Sequence, residues 1–427
     1  MAGYLLKRDH LLIQQAQRQL RIVNYLVIST LFLTSYVFFR APFEFYLFYV
    51  PILILLPVFI SKIPFSRSLF VFFILLGISG LYGILAENNT FPNFIKVYAS
   101  IIIIYSFYFY AIAYNQFRIK NLFLIYLHLC KILAFIGIIQ LVSFYIGFTP
   151  GYDFRWILNK YSLVASEGSF RLSSIISEPS QYAFVLAPAI FVSLYSVLNR
   201  NFQFISLPWA LIIITTTILT YSTHAYIVLL FGIMIIIMKN FNFIKSLVLI
   251  ILVSIGVIFL YNNVHQFQIR VDDTVLILKD AHRLNEREFL VKLNTSNFTL
   301  LNNAVISLNA FEQSPLVGNG LGSHPVSFDK FSITRQRYLP FEDFNQMDAN
   351  SLFLRLLSEL GLLGVGTFIY ILIRYRVGSV KDTNAWIVSH AILTMMIAAL
   401  LREGHYFISG VPLFLFMYIY LKKYGFQ

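Results

Sequence analysis

Three groups of ionisable residues interrupt a chain that otherwise avoids charge. Arg155, Lys160 and Arg171 precede Glu178-Pro179. Such cations suit phosphate oxygens, proline fits the first turn of a following helix whose N-terminus favours anions, and a sheltered carboxylate can serve as a general base. Asp348, Asn350 and Ser351 stand before an apolar run, and each can cap its helix. Arg355 and Glu359 within that run are i,i+4 partners able to neutralise each other. Arg402, Glu403 and His405 close the next-to-last apolar run, at the same expected depth as Glu178. Ahead of the second group lies Ser314-Pro315-Leu316-Val317-Gly318-Asn319-Gly320-Leu321-Gly322, followed by His324, a candidate base, ligand or pyrophosphate donor. No strand precedes these glycines, so they are no dinucleotide fingerprint; they permit tight turns and close backbone approach. Structural roles compete throughout: Arg171 can pair with Glu178, Glu178 can cap a helix, and a lone loop histidine can simply be solvated.

The eight histidines show no i,i+4 pair and no His-Glu-x-x-His, and the single cysteine, Cys130, sits in an apolar run. No metal or other cofactor is expected. There is no phosphate-binding loop of the Gly-x-x-x-x-Gly-Lys type, so the energy for any reaction must arrive with the substrate.

The elements that must hold these residues are membrane helices. Of 427 residues 58% are hydrophobic and only 12% charged, which excludes a water-soluble globule. Apolar runs of about 17 to 25 residues recur, each long enough as a helix to cross the hydrocarbon core, and period-two alternation is missing, which excludes a barrel. The expected class is an all-α polytopic bundle of about twelve helices: 22–39, 43–60, 68–86, 97–114, 121–147, 180–198, 206–220, 224–238, 246–262, 352–373, 385–401 and 405–421. Residues 1–21 read as a retained, cytoplasmic, amphipathic N-terminus in which Leu5, Leu12, Ala16 and Leu20 share a face. Residues 22–262 then carry nine spans and an outer loop at 148–179, residues 263–351 form a large outer loop, and 352–427 carry three spans and a cytoplasmic C-terminus. The large loop is too apolar for disorder and reads as short amphipathic helices capping the bundle.

With the N-terminus inside, the cytoplasmic turns hold sixteen basic residues, among them Lys62, Arg118, Lys239 and Arg374, against two acids, Asp9 and Asp382. The net charge of +13 is therefore a topology signal facing anionic lipid, with no nucleic-acid partner implied. The turn at Tyr221 to Thr223 is needed to keep that bias, because one long helix there would invert everything downstream.

Four segments together resemble the Wzy-type O-antigen polymerase and O-antigen ligase superfamily. They are Phe170-Arg171 with Ser177-Glu178-Pro179-Ser180-Gln181-Tyr182-Ala183; Thr220-Tyr221-Ser222 opening a helix; the glycine run at 314–322; and Asn350-Ser351-Leu352 leading to Glu359-Leu360-Gly361-Leu362-Leu363-Gly364. The resemblance covers roughly residues 165 to 370, with the first five helices matched only in hydropathy. Thr223-His224 stand where the family commonly has Arg, and Ala349 stands where many members have His.

The resemblance implies a bacterial inner-membrane glycosyltransferase that polymerises oligosaccharide repeat units on the periplasmic face. Undecaprenyl-pyrophosphate-linked oligosaccharides would be donor and acceptor, membrane lipid the surroundings, and a chain-length regulator protein a partner. Arg171 and Arg402, with Arg155, Lys160, Arg335 and Arg337 as further candidates, would hold the pyrophosphate; Glu178 is the expected base, with His324 and Asp348 in reserve. The rivals are an O-antigen ligase, which transfers glycan to lipid A core, and a lipid-linked glycan flippase or other transporter. Matched repeats are not visible, and only Lys131, Arg355 and Glu359 lie well within spans, which disfavours transport. The topology predicts that, in a Cys130→Ala background, a cysteine at Ser296 reacts with an impermeant maleimide on whole cells and one at Asn242 does not; the opposite pattern would overturn it.

Overall fold

The computed structural model describes residues 2–41, 43–166, 169–239, 243–263, 265–279, 283, 286–293, 295–333, 345–378 and 382–427. Helix α1 (Ala2–Ser29) runs unbroken past the expected boundary at residue 22 and stops ten residues short of the expected end of the first span. The chain there turns through Leu31 N to Ile28 O and Phe32 N to Ser29 O, and aromatic β-formers then make a hairpin of β1 (Val37–Phe39) and β2 (Phe45–Tyr46). Residues 30–48 thus leave the helices to which hydropathy assigns most of them, because a hairpin of aromatic residues is as apolar as a helix.

Helices α2 (Tyr49–Lys62), α3 (Arg67–Leu85), α4 (Phe91–Tyr114) and α5 (Ile119–Tyr145) follow. The connection after α5 holds α6 (Thr149–Tyr152) and a second hairpin, β3 (Ala165–Ser166) with β4 (Ser169–Phe170). Next come α7 (Pro179–Val185) and α8 (Ala187–Asn199), bent by 62° at Leu186, then α9 (Leu207–Ile218), α10 (Thr223–Lys239) and α11 (Phe243–Asn263). The break between α9 and α10 contains Tyr221 at φ 45°, in the left-handed region, and falls where the charge bias needs a turn.

The described residues between α11 and Leu352 include α12 (His265–Lys279), α13 (Arg287–Lys292), α14 (Thr295–Gln313) and α15 (His324–Phe331). Phe289, Leu290, Leu293, Phe298 and Ile333 form their own apolar cluster, separate from the core of the bundle. The chain closes with α16 (Leu352–Arg374), α17 (Thr383–Arg402) and α18 (Val411–Tyr424). The protein is mostly helical, with several apolar helices suited to a membrane. Among the described residues α3, α4, α5, α16 and α17 are long and apolar enough to cross, and the bent α7–α8 pair makes a sixth if it is one span.

The glycine run is a staple. Asn319 N and Gly320 N donate to Ser358 O and Glu359 O at 3.0 and 2.9 Å, while Leu362 N and Leu363 N donate back to Pro315 O and Leu316 O. This backbone ladder opens α16 at Gly361, whose φ of 60° is not helical. A Cβ on Gly318, itself at φ +71°, would lie 2.4 Å from the Glu359 carbonyl carbon. Gly318→Ala should therefore lower stability by about 2 kcal/mol or more, read as a drop in thermal midpoint in detergent. Gly366→Ala, with open space at its Cβ, should leave the midpoint unchanged; equal effects would refute the staple.

Candidate functional site

The connection between α5 and α7 is pinned to α5 by Gln140, which is fully buried. Its Oε1 accepts Ser173 N and Ser174 N at 3.2 and 2.8 Å, and its Nε2 donates to Tyr152 O at 3.0 Å and to Tyr161 Oη at 2.5 Å. Ser162 N to Ser177 O at 2.7 Å closes the loop on itself, and Asn159 ties it to Val37 of β1. Residues 160–166 and 169–178 are thereby held over one end of the bundle.

That end contains a polar cavity of about 630 Å³. It brings together eight of the residues singled out in the sequence, Lys160, Arg171, Glu178, Asp348, Asn350, Arg402, Glu403 and His405, and adds Gln181 from the segment after Glu178. Lys160 Nζ donates to Glu44 and, at 2.6 Å, to Tyr46 Oη. Arg171 Nε donates to Thr220 O at 3.0 Å, and Arg402 Nη2 to Ser296 Oγ at 2.6 Å. Glu178 occupies the N-cap position of α7, yet its carboxylate makes no capping hydrogen bond; it is exposed to the cavity and accepts Ser180 Oγ at 2.5 Å.

Two other carboxylates are committed on both oxygens. Asp348 Oδ1 accepts Asn345 Nδ2 and Asn350 N at 2.7 and 2.9 Å, and Oδ2 lies 3.0 Å from His405 Nε2. Burial opposes ionisation of Asp348, but His405 and these donors outweigh it and hold the group far below the usual carboxylate range. Glu403 is 3% exposed, accepting Gln181 Nε2 at 2.7 Å and His405 N at 3.2 Å. Burial pushes its pKa up to about 6 against the pull of His405.

The remaining sequence candidates lie elsewhere. Arg155 is exposed and paired with Asp153 at 2.7 Å, outside the cavity lining. His324 is fully buried at the start of α15, where Nε2 meets Asn303 Oδ1 at 2.9 Å and burial lowers its pKa to about 3. A neutral core histidine away from the cavity does not fit the role of reserve base. Arg335 and Arg337 lie outside the described residues. Of the possible caps for α16 it is Ser351 that accepts Leu354 N, at 3.3 Å.

The connection carrying Glu403 and His405 is fixed by the Arg355–Glu359 pair. Arg355 Nε donates to Glu359 Oε1 at 3.0 Å, with the two side chains 3% and 0% exposed, and Nη1 donates to Gly404 O at 3.0 Å. Glu359 Oε2 accepts Tyr406 Oη at 2.9 Å and Gly322 N at 2.8 Å. The i,i+4 spacing makes this pair legible in the sequence. The Asp348–His405 contact is not, because nothing local links residues so far apart; the only signal is the ionisable run at 402–405.

Among the described residues no group of three or more His, Cys, Asp or Glu side chains is placed to hold a metal ion. The chain matches no family model and no curated protein.

Removing one partner of the buried pair should cost about 3–5 kcal/mol, because the other charge is left uncompensated in a low-dielectric interior. Arg355→Met and Glu359→Gln should each lower the thermal midpoint sharply, and Arg355→Met/Glu359→Gln together should cost clearly less than the sum. Strict additivity of the two would show that the pair is not coupled.

Proposed function

We propose that this chain is an inner-membrane glycosyltransferase of about twelve crossings that polymerises polyprenyl-pyrophosphate-linked oligosaccharide repeat units on the periplasmic face, with both termini in the cytoplasm. The observation that carries this reading is convergence at one cavity. Arg171 and Glu178 from the first resembling segment, Ser222 from the second and Asn350 from the fourth all line it, and the glycine run of the third holds α16 and Gly322 against Glu359.

The twelve-crossing alternation has independent support. Residues from or beside five of the six expected outer connections line the cavity, at 34 and 46, 160–164 and 171–181, 222–224, 295–299 and 345–350, and 402–408. The sixth reaches the same side through Asn89 Nδ2, which donates to Leu321 O at 2.7 Å. The expected inner connections meet one another instead: Lys120 N donates to Gln427 O at 2.9 Å, and Gln203 donates to Asn384.

Lys160, Arg171 and Arg402 suit a pyrophosphate, with arginine offering planar, forked donors to oxygens on which charge develops as the glycosyl bond breaks. Glu178 supplies the proton acceptor for the attacking hydroxyl, since it alone of the three lining carboxylates is exposed with room for an incoming group. A donor that leaves as pyrophosphate carries its own driving force, which a chain without a nucleotide-binding loop requires.

Deletion of the gene should leave lipopolysaccharide core bearing a single repeat unit, whereas loss of a ligase leaves none. Arg171→Ala should lower polymer formation by about 10²–10³-fold, and Arg171→Lys should restore part of it. Glu178→Gln should lower it by about 10²-fold or more at normal protein levels. A full ladder in the deletion strain would refute the reading; core without any repeat would replace it with the ligase.

A further inference from the structure

His405 is mounted with more care than a surface histidine needs. It sits between α17 and α18, lines the polar cavity and keeps 25% of its side chain exposed. Its Nε2 is committed to Asp348 Oδ2 at 3.0 Å, which leaves Nδ1 as the nitrogen within a ligand's reach. The mount is tied on both sides. His405 N donates to Glu403 Oε1 at 3.2 Å, and the preceding Gly404 O accepts Arg355 Nη1 at 3.0 Å. On the other side, Asp348 is fixed by Asn345 and Asn350, with Ala349 and Asn350 held at φ 59° and 56°. Gly404 allows the two strands of chain to meet, since a Cβ there would lie 1.5 Å from Asp348 O.

We propose that His405, as an imidazolium, joins Lys160, Arg171 and Arg402 as a cation of the donor site, giving Nδ1–H to the pyrophosphate and stabilising the charge on the departing oxygens, with Asp348 as the residue that positions it. This inference rests on the polymerase reading and deepens it. In the transfer, the bond from the donor's anomeric carbon to the phosphate oxygen breaks, its electron pair leaving with the pyrophosphate. The acceptor oxygen bonds to that carbon and gives its proton to Glu178, while His405 keeps its own proton throughout. Asp348, ionised and engaged on both oxygens, is then no base but the anion that keeps the imidazole charged.

The groups that face His405 set the sign of its pH dependence. Asp348 approaches from the segment before α16, Glu403 from its own connection and Arg355 from α16, while Lys160, Arg171, Glu178 and Arg402 surround the cavity. Burial opposes the charged ring, yet Asp348 and Glu403 outweigh burial and Arg355, so the pKa is raised. The charged form therefore prevails below that raised value and is lost as pH climbs through it. His224 also lines the cavity, while the buried His324, outside its lining, is driven neutral.

The test uses the full chain in lipid nanodiscs and measures binding of inorganic pyrophosphate by calorimetry from about pH 6 to about pH 9, a range that spans histidine titration. Wild-type affinity should fall by about tenfold across an alkaline limb, the scale of one charge-assisted contact. His405→Gln should bind weakly at the acid end and lack that limb. His405→Arg should bind at the alkaline end as tightly as at the acid end, which shows that the fold survives substitution. Asp348→Asn should move the midpoint to lower pH, an effect that a merely structural role for Asp348 would not produce. Pyrophosphate's own ionisation is common to all variants, so the differences among them are the readout. A limb unchanged in His405→Gln, a midpoint unmoved in Asp348→Asn, or no pyrophosphate binding at any pH would overturn the proposal. If the His405-dependent limb is present but the deletion strain keeps a full ladder, the polymerase reading fails and the anion site stands. If the deletion strain carries single repeats and the limb is missing, the polymerase reading stands and His405 loses its role.

Discussion

The arrangement of the cavity end depends on one buried ion pair. Arg355 and Glu359 lie inside an apolar bundle, where neither charge is tolerable without a partner and where even a pair must have its remaining donors and acceptors satisfied. Four hydrogen bonds meet that demand, and none stays within the local turn except the one between the two residues themselves. Gly404 O takes one guanidinium nitrogen, while Tyr406 Oη and Gly322 N share the second carboxylate oxygen. The desolvation that makes the pair costly thus also makes it specific. The outer glycine run and the connection between α17 and α18 must arrive at α16 in one geometry, or leave a buried charge unmet.

Glycines make that arrival possible. Gly318 and Gly361 let the staple and α16 approach backbone to backbone, in conformations that a side chain would resist and at separations that a Cβ would fill. Gly404 does the same where the segment before α16 crosses the connection bearing His405. The ion pair fixes Gly404 from one side and Asp348 crowds it from the other, so the position of His405 follows in part from a pair that lies outside the cavity lining. Close packing of backbone transmits the constraint over the short distance from the bundle interior to the site.

Much of this was legible in the sequence, and the failures have physical causes. Hydropathy locates the apolar helices, and i,i+4 spacing identifies the Arg355–Glu359 pair. The glycine run reads correctly as a place of close backbone approach. Hydropathy misassigns residues 30–39 and 43–48, because Val37, Phe38, Phe39 and Phe45 score as apolar whether in a hairpin or in a helix, although Phe38 and Phe39 are exposed. The motif around Glu178 points to the cavity, and Arg402, at the end of its own apolar run, lines the same cavity. His324 was misleading because residue type alone does not separate a histidine facing a ligand from one bonded to Asn303 in a core. The pairing of Gln181 with Glu403 and of Asp348 with His405 is tertiary, and the sequence signals it only through the segment around Glu178 and the ionisable run at 402–405.

The helices around the cavity are broken, and the breaks have a use. Backbone that leaves a helix at membrane depth must find partners in protein or line a polar space. The chain unwinds at Leu186, at Tyr221 and at Gly361, and runs without helix from Glu403 to Phe407. Carbonyls freed in this way serve arginines: Thr220 O accepts Arg171 Nε, and Gly404 O accepts Arg355 Nη1. A carbonyl orients a guanidinium without cancelling its charge, as a carboxylate would. For Arg171, in the wall of the cavity, the Thr220 carbonyl is one fixed partner. The same unwinding supplies the polar wall and sets the cation within it, so breaks that would be costly in an uninterrupted bundle become part of how the cavity is made.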